Sequence, residues 1–522
     1  MKLQKVSIYL FSFFILLMGV GCNSDEEAES YTVSGNTLVK SFSLSNKSGS
    51  DVPYSSCFFT IDAVNGYIFN ADSLPYKSDI SSLVANITFS SASAVEIAYT
   101  KQNEENVTTV DYLTNSTDSL DFSGKPWTDT DKKASVKMTV TAPNGNKQIY
   151  YIDVRVHQIV ADSLQWKELT KTELPSALAN PTMQKTVLYK DALFCFTGDG
   201  SSYSLATSQR PSEIALWNKE VITPGFVLNV GSIQSAPDCL YALSDAGGLY
   251  RSVDGKSWET VAIDKPFYSL IGVWTDSEEA SAAIRLLGVI KDGDTYKHDC
   301  YPRPEGYTPR EIESDFPISG HSNMIVIYDG GDYGLPQTAF VGGRMVDGTL
   351  SAAVWGYDGE ADGWAKLGMK SLITPREGAM FFPYYTYTYD SSTGVRTEWP
   401  TFFVVGGSDG YDCLKDVYTT SNPAQYWDKV KDGSVLALPE AFPATSFASV
   451  VVFKENVITK SSLAGWNSLK VAELPRYMKS ADGLTDGLVP YIYMFGGKDS
   501  GGNLERQMWR GVINRLTFAP IP

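Results

Sequence analysis

The chain has 522 residues, 43% hydrophobic and 12% aromatic, enough for more than one packed core. Its 60 acidic side chains outnumber 43 basic ones, leaving a formal charge of −17. So acidic a surface repels phosphate backbones and anionic headgroups alike, which argues against nucleic acid as a partner and against charge-driven membrane attachment.

Taken from the N-terminus, Lys2 and Lys5 precede a nearly unbroken apolar run from Val6 to Val20. That run is too short to span a bilayer comfortably, so residues 1–21 read as a secretory signal peptide. It closes on Gly19-Val20-Gly21-Cys22, followed by Asn23-Ser24-Asp25-Glu26-Glu27. The segment resembles a bacterial lipoprotein signal, with Gly19 where that family usually has Leu, and the acidic stretch resembles the surface-export tag of Bacteroidetes-type lipoproteins. The resemblance implies acyl chains on Cys22 as the contact with the membrane, residues 22–30 as an acidic tether, and an outer-membrane, cell-surface location. Loss of residues 1–21 removes two Lys and no acid, taking the charge from −17 to −19. The five later cysteines, Cys57, Cys195, Cys239, Cys300 and Cys413, are far apart and lack Cys-x-x-Cys spacing. Neither a disulfide framework nor a zinc site is indicated, and Cys195 and Cys239 read as small buried hydrophobes.

Residues 31–160 alternate short apolar-periodic runs with Asn, Ser, Gly and Pro clusters: 38–44, 57–61, 86–89, 95–99, 136–140 and 149–156. About seven strands at this spacing predict a β-sandwich that resembles an immunoglobulin-like domain, without its Cys…Trp…Cys pattern. Asn144-Gly145 predicts a two-residue hairpin, and residues 62–75 read as a long polar, solvated loop.

After a linker at 160–164, residues 165–522 repeat one pattern: a strand, a polar turn, a Trp, a second short strand. The clearest copy is Leu249-Tyr-Arg-Ser-Val-Asp-Gly-Lys-Ser-Trp-Glu-Thr-Val261. Units are marked at Trp217, Trp258, Tyr307, Trp364, Trp427, Trp466 and Trp509. The expected fold is all-β: the sandwich, then a β-propeller of seven blades, with six as the alternative if the short unit at Trp466 belongs to its neighbour. The last unit lacks a fourth strand, and Gln165-Trp-Lys-Glu-Leu169 has the form needed to supply it and close the ring.

Phe340-Val-Gly-Gly343, Val404-Val-Gly-Gly407 and Met494-Phe-Gly-Gly497, with Thr374-Pro-Arg376 and Leu474-Pro-Arg476, resemble kelch repeats. Ser252, Asp254, Gly255 and Trp258 fall on the key positions of a sialidase-type Asp-box, whose role is structural. The mature chain resembles Bacteroides surface lipoproteins with an N-terminal sandwich and a C-terminal kelch-like propeller, a family of unknown function.

No catalytic constellation stands out. A sialidase needs an arginine cluster and an Arg-Ile-Pro-type motif, to which Tyr301-Pro-Arg-Pro304 is not equivalent. A galactose-oxidase-like copper site needs two His beyond the sandwich, and the chain has three His in all, His157, His298 and His321. The expectation is therefore a non-catalytic protein without cofactor or metal, binding a glycan or a surface protein. The competing reading is a propeller-type glycan-active enzyme, a glycoside hydrolase or sialidase-like protein. Candidate ligand-binding residues are the aromatic strand face Tyr385, Tyr387 and Tyr389 with Trp399 nearby, and Arg376, Arg476 and His321 in turns near the central channel; the alternatives are that the tyrosines pack between neighbouring blades and that Arg376 is a hydrogen-bond donor to its blade turn.

Overall fold

The computed structural model describes residues 32–513, except 51, 71–72, 159, 161, 171–172, 280, 329–333, 369–372, 391–394 and 457–487. The signal segment, Cys22, Trp466, Arg476 and the Leu474-Pro-Arg476 turn lie outside the described residues. The regular secondary structure described is almost entirely strand, with two single-turn 3-10 helices at Tyr54–Ser56 and Ile214–Leu216. The chain divides into two compact units between Val156 and His157.

The N-terminal unit has two sheets. One pairs Val39–Leu44, Leu83–Phe89 and Ser119–Leu120; the other orders Phe59–Asp62, Tyr67–Asn70, Lys147–Asp153, Val136–Thr141, Ala94–Thr100 and Val107–Asp111. Both contribute to one apolar cluster, including Phe42, Ile87, Ile97, Val136, Met138 and Ile152. The alternation is physical: Val95, Ile97 and Tyr99 are buried while Glu96 between them is exposed, as in a sheet packed on one face. Two details differ from the expectation. The hairpin at Gly145 (φ +90°) is closed by Ala142 N–H donating to the Asn146 carbonyl at 2.8 Å, so its loop is Pro143-Asn144-Gly145, three residues. Residues 67–70 of the supposed polar loop are a strand pairing in parallel with Lys147–Asp153, and Asp62 turns the chain by accepting from Val64 N–H (3.1 Å) and Asn65 N–H (2.9 Å).

Among the described residues the C-terminal unit has six four-stranded antiparallel sheets. Their innermost strands, in order, are Met183–Tyr189, Leu228–Ser235, Phe267–Thr275, Ile325–Val326, Met380–Asp390 and Ser449–Asn456. Each neighbours the next, and the sixth neighbours the first, so the ring is closed among the described residues. Strands inside it are buried on both faces, as in Thr338–Val341, because each sheet is covered by the sheets before and after it. Six sheets are described, the count of the alternative reading and one short of the favoured seven. Ser449–Asn456 and Leu488–Phe495 are adjacent strands of one sheet, and the Trp466 landmark of the short unit falls between them, outside the described residues.

The closure itself is as the pattern implies. Leu164–Thr170 forms the outer strand of the sixth sheet, pairing Leu164 with Ile513, Trp166 with Gly511 and Glu168 with Trp509. A Cβ at Gly511 would lie 2.9 Å from the Trp166 ring, so glycine is what lets that indole cover the strand.

Candidate functional site: the channel mouth

In sheets four to six the second strand ends in a glycine pair with positive φ: Gly342 (+67°) and Gly343 (+112°), Gly406 (+63°) and Gly407 (+95°), Gly496 (+56°) and Gly497 (+103°). These conformations belong to glycine, and the space does too. A Cβ at Gly343 would lie 2.8 Å from the Ser319 carbonyl oxygen, at Gly407 2.8 Å from that of Glu377, and at Gly497 2.9 Å from that of Ser446. Each pair therefore seats the turn leading into its own innermost strand.

Those three turns are stitched together across the sheets. Gly378 N–H donates to the Gly320 carbonyl (2.6 Å), and Phe447 N–H donates to the Gly378 carbonyl (2.7 Å). Gly320, Gly378 and Phe447 share one place in the turn, with φ of +65°, +62° and +56°. Bulky residues are rare in this region, where the conformation costs on the order of 1–2 kcal/mol. Phe447 nevertheless stands where the other two turns have glycine. One side of its ring covers Gly378, whose hypothetical Cβ would lie 2.8 Å from Phe447 Cδ2, and 44% of the residue stays exposed.

Glu377 covers Gly320 in the same way, its Oε2 2.8 Å from the position of a Gly320 Cβ. Arg344 fixes that carboxylate through Nε (3.1 Å to Oε2) and a second contact from Nη2 to Oε1. His321 follows Gly320. Its Nδ1 lies 2.7 Å from the Ser322 carbonyl, which makes that nitrogen the donor, and its ring packs on Phe340 at 5.2 Å. Burial, with help from the Lys185 charge, holds the imidazole below its ordinary pKa and hence neutral at neutral pH.

Of the residues singled out from sequence, His321 is at this mouth. Arg376 lies in the neighbouring turn but is fully buried, stacked over Tyr418 at 5.0 Å. Its five N–H groups are all engaged: Nε with Thr374 O (3.0 Å), Nη1 with Gly406 O (2.8 Å) and Asp416 Oδ1 (2.7 Å), Nη2 with Thr374 Oγ1 (2.5 Å) and Asp416 Oδ2 (3.1 Å). With every donor taken, Arg376 is a structural residue and has nothing to offer a ligand.

The aromatic strand face is also corrected. Tyr385 is 1% exposed and packs in the core with Tyr384 at 4.3 Å and Tyr387 at 5.5 Å. Tyr387 is half-buried, its hydroxyl 3.0 Å from Glu398. Trp399 is exposed, but it pairs with Thr386 and donates from Nε1 to Thr388 Oγ1 (2.7 Å), so it lies on the opposite face from the tyrosines. The Tyr389 side chain lies outside the described residues.

The Asp-box does what its pattern implies. Ser252 Oγ accepts from Gly255 N–H (2.8 Å), and Asp254 Oδ1 accepts from Lys256 and Ser257 N–H (2.8 Å each). Gly255 has φ +76°, and Trp258 packs near Phe196 and Phe226.

Two features escaped the sequence reading. Ser408 stands in a Gly-x-Ser-x-Gly spacing, Gly406-Gly407-Ser408-Asp409-Gly410, but it opens a turn, and its Oγ accepts from Gly410 N–H (3.0 Å). It has neither the strand-to-helix setting nor the histidine partner of a nucleophile elbow among the described residues. Phe447 was missed because its meaning appears only when 319–320, 377–378 and 446–447 are superposed as equivalent turns. Elsewhere, a 440 Å³ recess lined by Ala192, Phe194, Thr207 and Arg210 gathers no cluster of ionisable groups. Among the described residues, no three of His, Cys, Asp and Glu converge as a metal ligand set.

Comparison with known proteins completes this picture. Residues 160–521 match the model of the DUF6242 beta propeller domain, and residues 33–154 match the domain of unknown function (DUF6242) N-terminal domain. The chain belongs to the DUF6242 family. No curated protein matches it. Membership agrees with the closed ring of sheets in the C-terminal unit, and DUF6242 carries no activity with it.

Proposed function

We propose that this DUF6242 protein is a non-catalytic surface lipoprotein, anchored through Cys22 in the outer membrane, whose propeller binds a saccharide at the channel mouth. The anchor is supported by the Lys-led apolar run ending at Gly21-Cys22 and the acidic stretch after it. The binding reading rests on one observation, Phe447: a half-exposed phenyl ring kept in a conformation that its two counterparts fill with glycine. Strain retained at one of three equivalent sites is what a ligand contact produces. A single aromatic face set among backbone carbonyls and the Arg344–Glu377 pair suits a pyranose ring stacked on C–H groups better than a broad protein surface.

The test is calorimetric titration of polysaccharides into the full chain, with a reducing-end assay on the same samples. Heat of binding without new reducing ends is the expected result; product formation overturns the non-catalytic reading in favour of a glycan-active enzyme. The variants Phe447→Asn and Phe447→Gly should keep stability within about 1 kcal/mol, since strain relief offsets lost packing. They should weaken saccharide binding by about tenfold or more.

A further inference from the structure

Lys185, at the channel mouth, has no counter-ion among the described residues. Gln184 and Thr186 both turn toward the sixth sheet: Thr186 N–H donates to Ser449 Oγ (2.9 Å), and Gln184 Nε2 reaches Ser449 Oγ (3.2 Å) and the Phe495 carbonyl (2.8 Å). Lys185, between them, points away from that sheet by strand alternation. It belongs to sheet one, and its charge acts on His321 in sheet four. Sheets one and four are opposite one another in this ring, so that charge acts across the channel. Burial lowers the Lys185 pKa, and the ammonium has no carboxylate within ion-pair distance among the described residues. This is unusual in a chain with 60 acids, where Lys265, Arg344 and Lys366 each hold one. A desolvated, unpaired ammonium is costly unless something fills the vacancy.

Room exists beside it. On the innermost strand of sheet two, Asn229 and Gly231 are exposed, and a Cβ at Gly231 would meet only Asn229 Oδ1, at 3.6 Å. Phe447 precedes Ser449 by two residues, and Ser449 is the group that Gln184 and Thr186 contact. Phe447 and Lys185 therefore stand on adjacent sheets at the same end of the channel. His321, kept neutral, does not compete for an anion.

We infer that the ligand is an acidic saccharide: a sugar-acid residue whose pyranose ring stacks on Phe447 and whose carboxylate reaches Lys185. The inference rests on the saccharide-binding reading above and adds the charge of the ligand to it. A strongly hydrated point charge selects a carboxylate without demanding one fixed geometry, which a flexible lysine stem in a narrow channel supplies. The chain's overall negative charge repels polyanions at long range, so a chain end or an isolated acidic residue is the form that enters.

The experiment compares oligosaccharides of glucuronate and galacturonate with their carboxyl-reduced, neutral counterparts, titrated into the full chain at fixed ionic strength. The acids should bind about tenfold tighter or more. Lys185→Gln should erase that preference and leave neutral binding in place, whereas Phe447→Asn should weaken both series. Lys185→Met gives a second readout: without ligand it should melt above the wild type, because a partly desolvated charge is gone. Equal binding of acids and neutral sugars, or an acid preference that survives in Lys185→Gln, overturns the inference and leaves saccharide binding standing. Binding of acetate as tight as that of the sugar acids overturns the saccharide part. If no saccharide of either series binds, the reading beneath it falls as well.

Discussion

Sheets four to six and sheets one to three reach one architecture by different local means. In the first group, glycine pairs at 342–343, 406–407 and 496–497 let each innermost strand's turn lie against the second strand. The Gly378 and Phe447 amides then join these turns into one continuous rim. Sheets two and three lack the pair and break register instead, between Asn229 and Gln234, and again at Phe267/Ser269 and Leu270/Gly272. Their outer edge is fixed by side-chain caps such as the Asp-box. One half of the mouth is thus a rigid hydrogen-bonded rim carrying Phe447, and the other half supplies Lys185 from a strand. A site shared by two such halves can tune its aromatic and its charged contact separately.

The largest break in this comparison should come from Arg376→Met. It strands Asp416, which keeps only Lys429 at 3.5 Å, in a half-closed pocket. A cost of about 3 kcal/mol is expected by urea denaturation, because a buried carboxylate loses its bidentate partner. Arg251→Met, at the exposed Arg251–Glu259 pair of sheet two, removes the same kind of bond and should leave the urea midpoint where it is, because water screens and replaces that pair. Equal effects would mean that the two halves are not built differently.

Gly407→Ala should follow, at about 2 kcal/mol. Alanine is strained at φ +95°, and its methyl would press on the Glu377 carbonyl at 2.8 Å and the Ala379 amide nitrogen at 3.1 Å. The rim is backbone on both sides, so neither neighbour moves cheaply.

Acid should act on the same corner. Burial raises the Asp416 pKa, but the Arg376 hydrogen bonds and the Arg376 and Lys429 charges outweigh it, so its carboxyl titrates below the ordinary value. A depressed folded value means stability that is present above the unfolded pKa, about 3.9, and lost as pH falls through the folded one. Arg376→Met/Asp416→Asn should therefore lose less melting temperature than the wild type between about pH 5 and pH 3.

How much of this was legible in the chain follows from which forces are local. The strand-turn-Trp repeat and the closing strand at Gln165–Leu169 announced the ring, because blade-to-blade burial must recur in every unit. The sequence leaves blade count between seven and six because residues 457–487 contain a Trp and apolar runs of their own, and periodicity alone does not assign such a short unit to a blade or to its neighbour. The Asp-box was readable since its hydrogen bonds run between residues two and three apart. Arg376 carried two readings, ligand contact and donor to the blade turn, because an arginine in a turn looks the same whether its donors face solvent or the carbonyls of Thr374 and Gly406; the structure has the second. Phe447 and Lys185 were silent for a related reason. Their significance lies in relations between sheets, a shared φ in one case and an absent carboxylate in the other, that spacing along one chain does not encode.

The smallest effect is the one that tests whether the Asp-box half is held as locally as it looks. In Asp254→Ala, two backbone amides at 2.8 Å and the Ser252 hydroxyl at 3.0 Å lose their acceptor. Lys256 and Ser257 are exposed, so water replaces the lost bonds and the cost should be about 1 kcal/mol, as for a lost helix cap. Gly255 and Trp258 would still pack on Phe196, which keeps the hairpin near its place. Saccharide affinity should not change, because this turn joins the two outer strands of sheet two while Lys185 lies on the innermost strand of sheet one. A drop in affinity matching that of Lys185→Gln would show that the sheet-two hairpin reaches the channel, and the separation of the two halves would have to be given up.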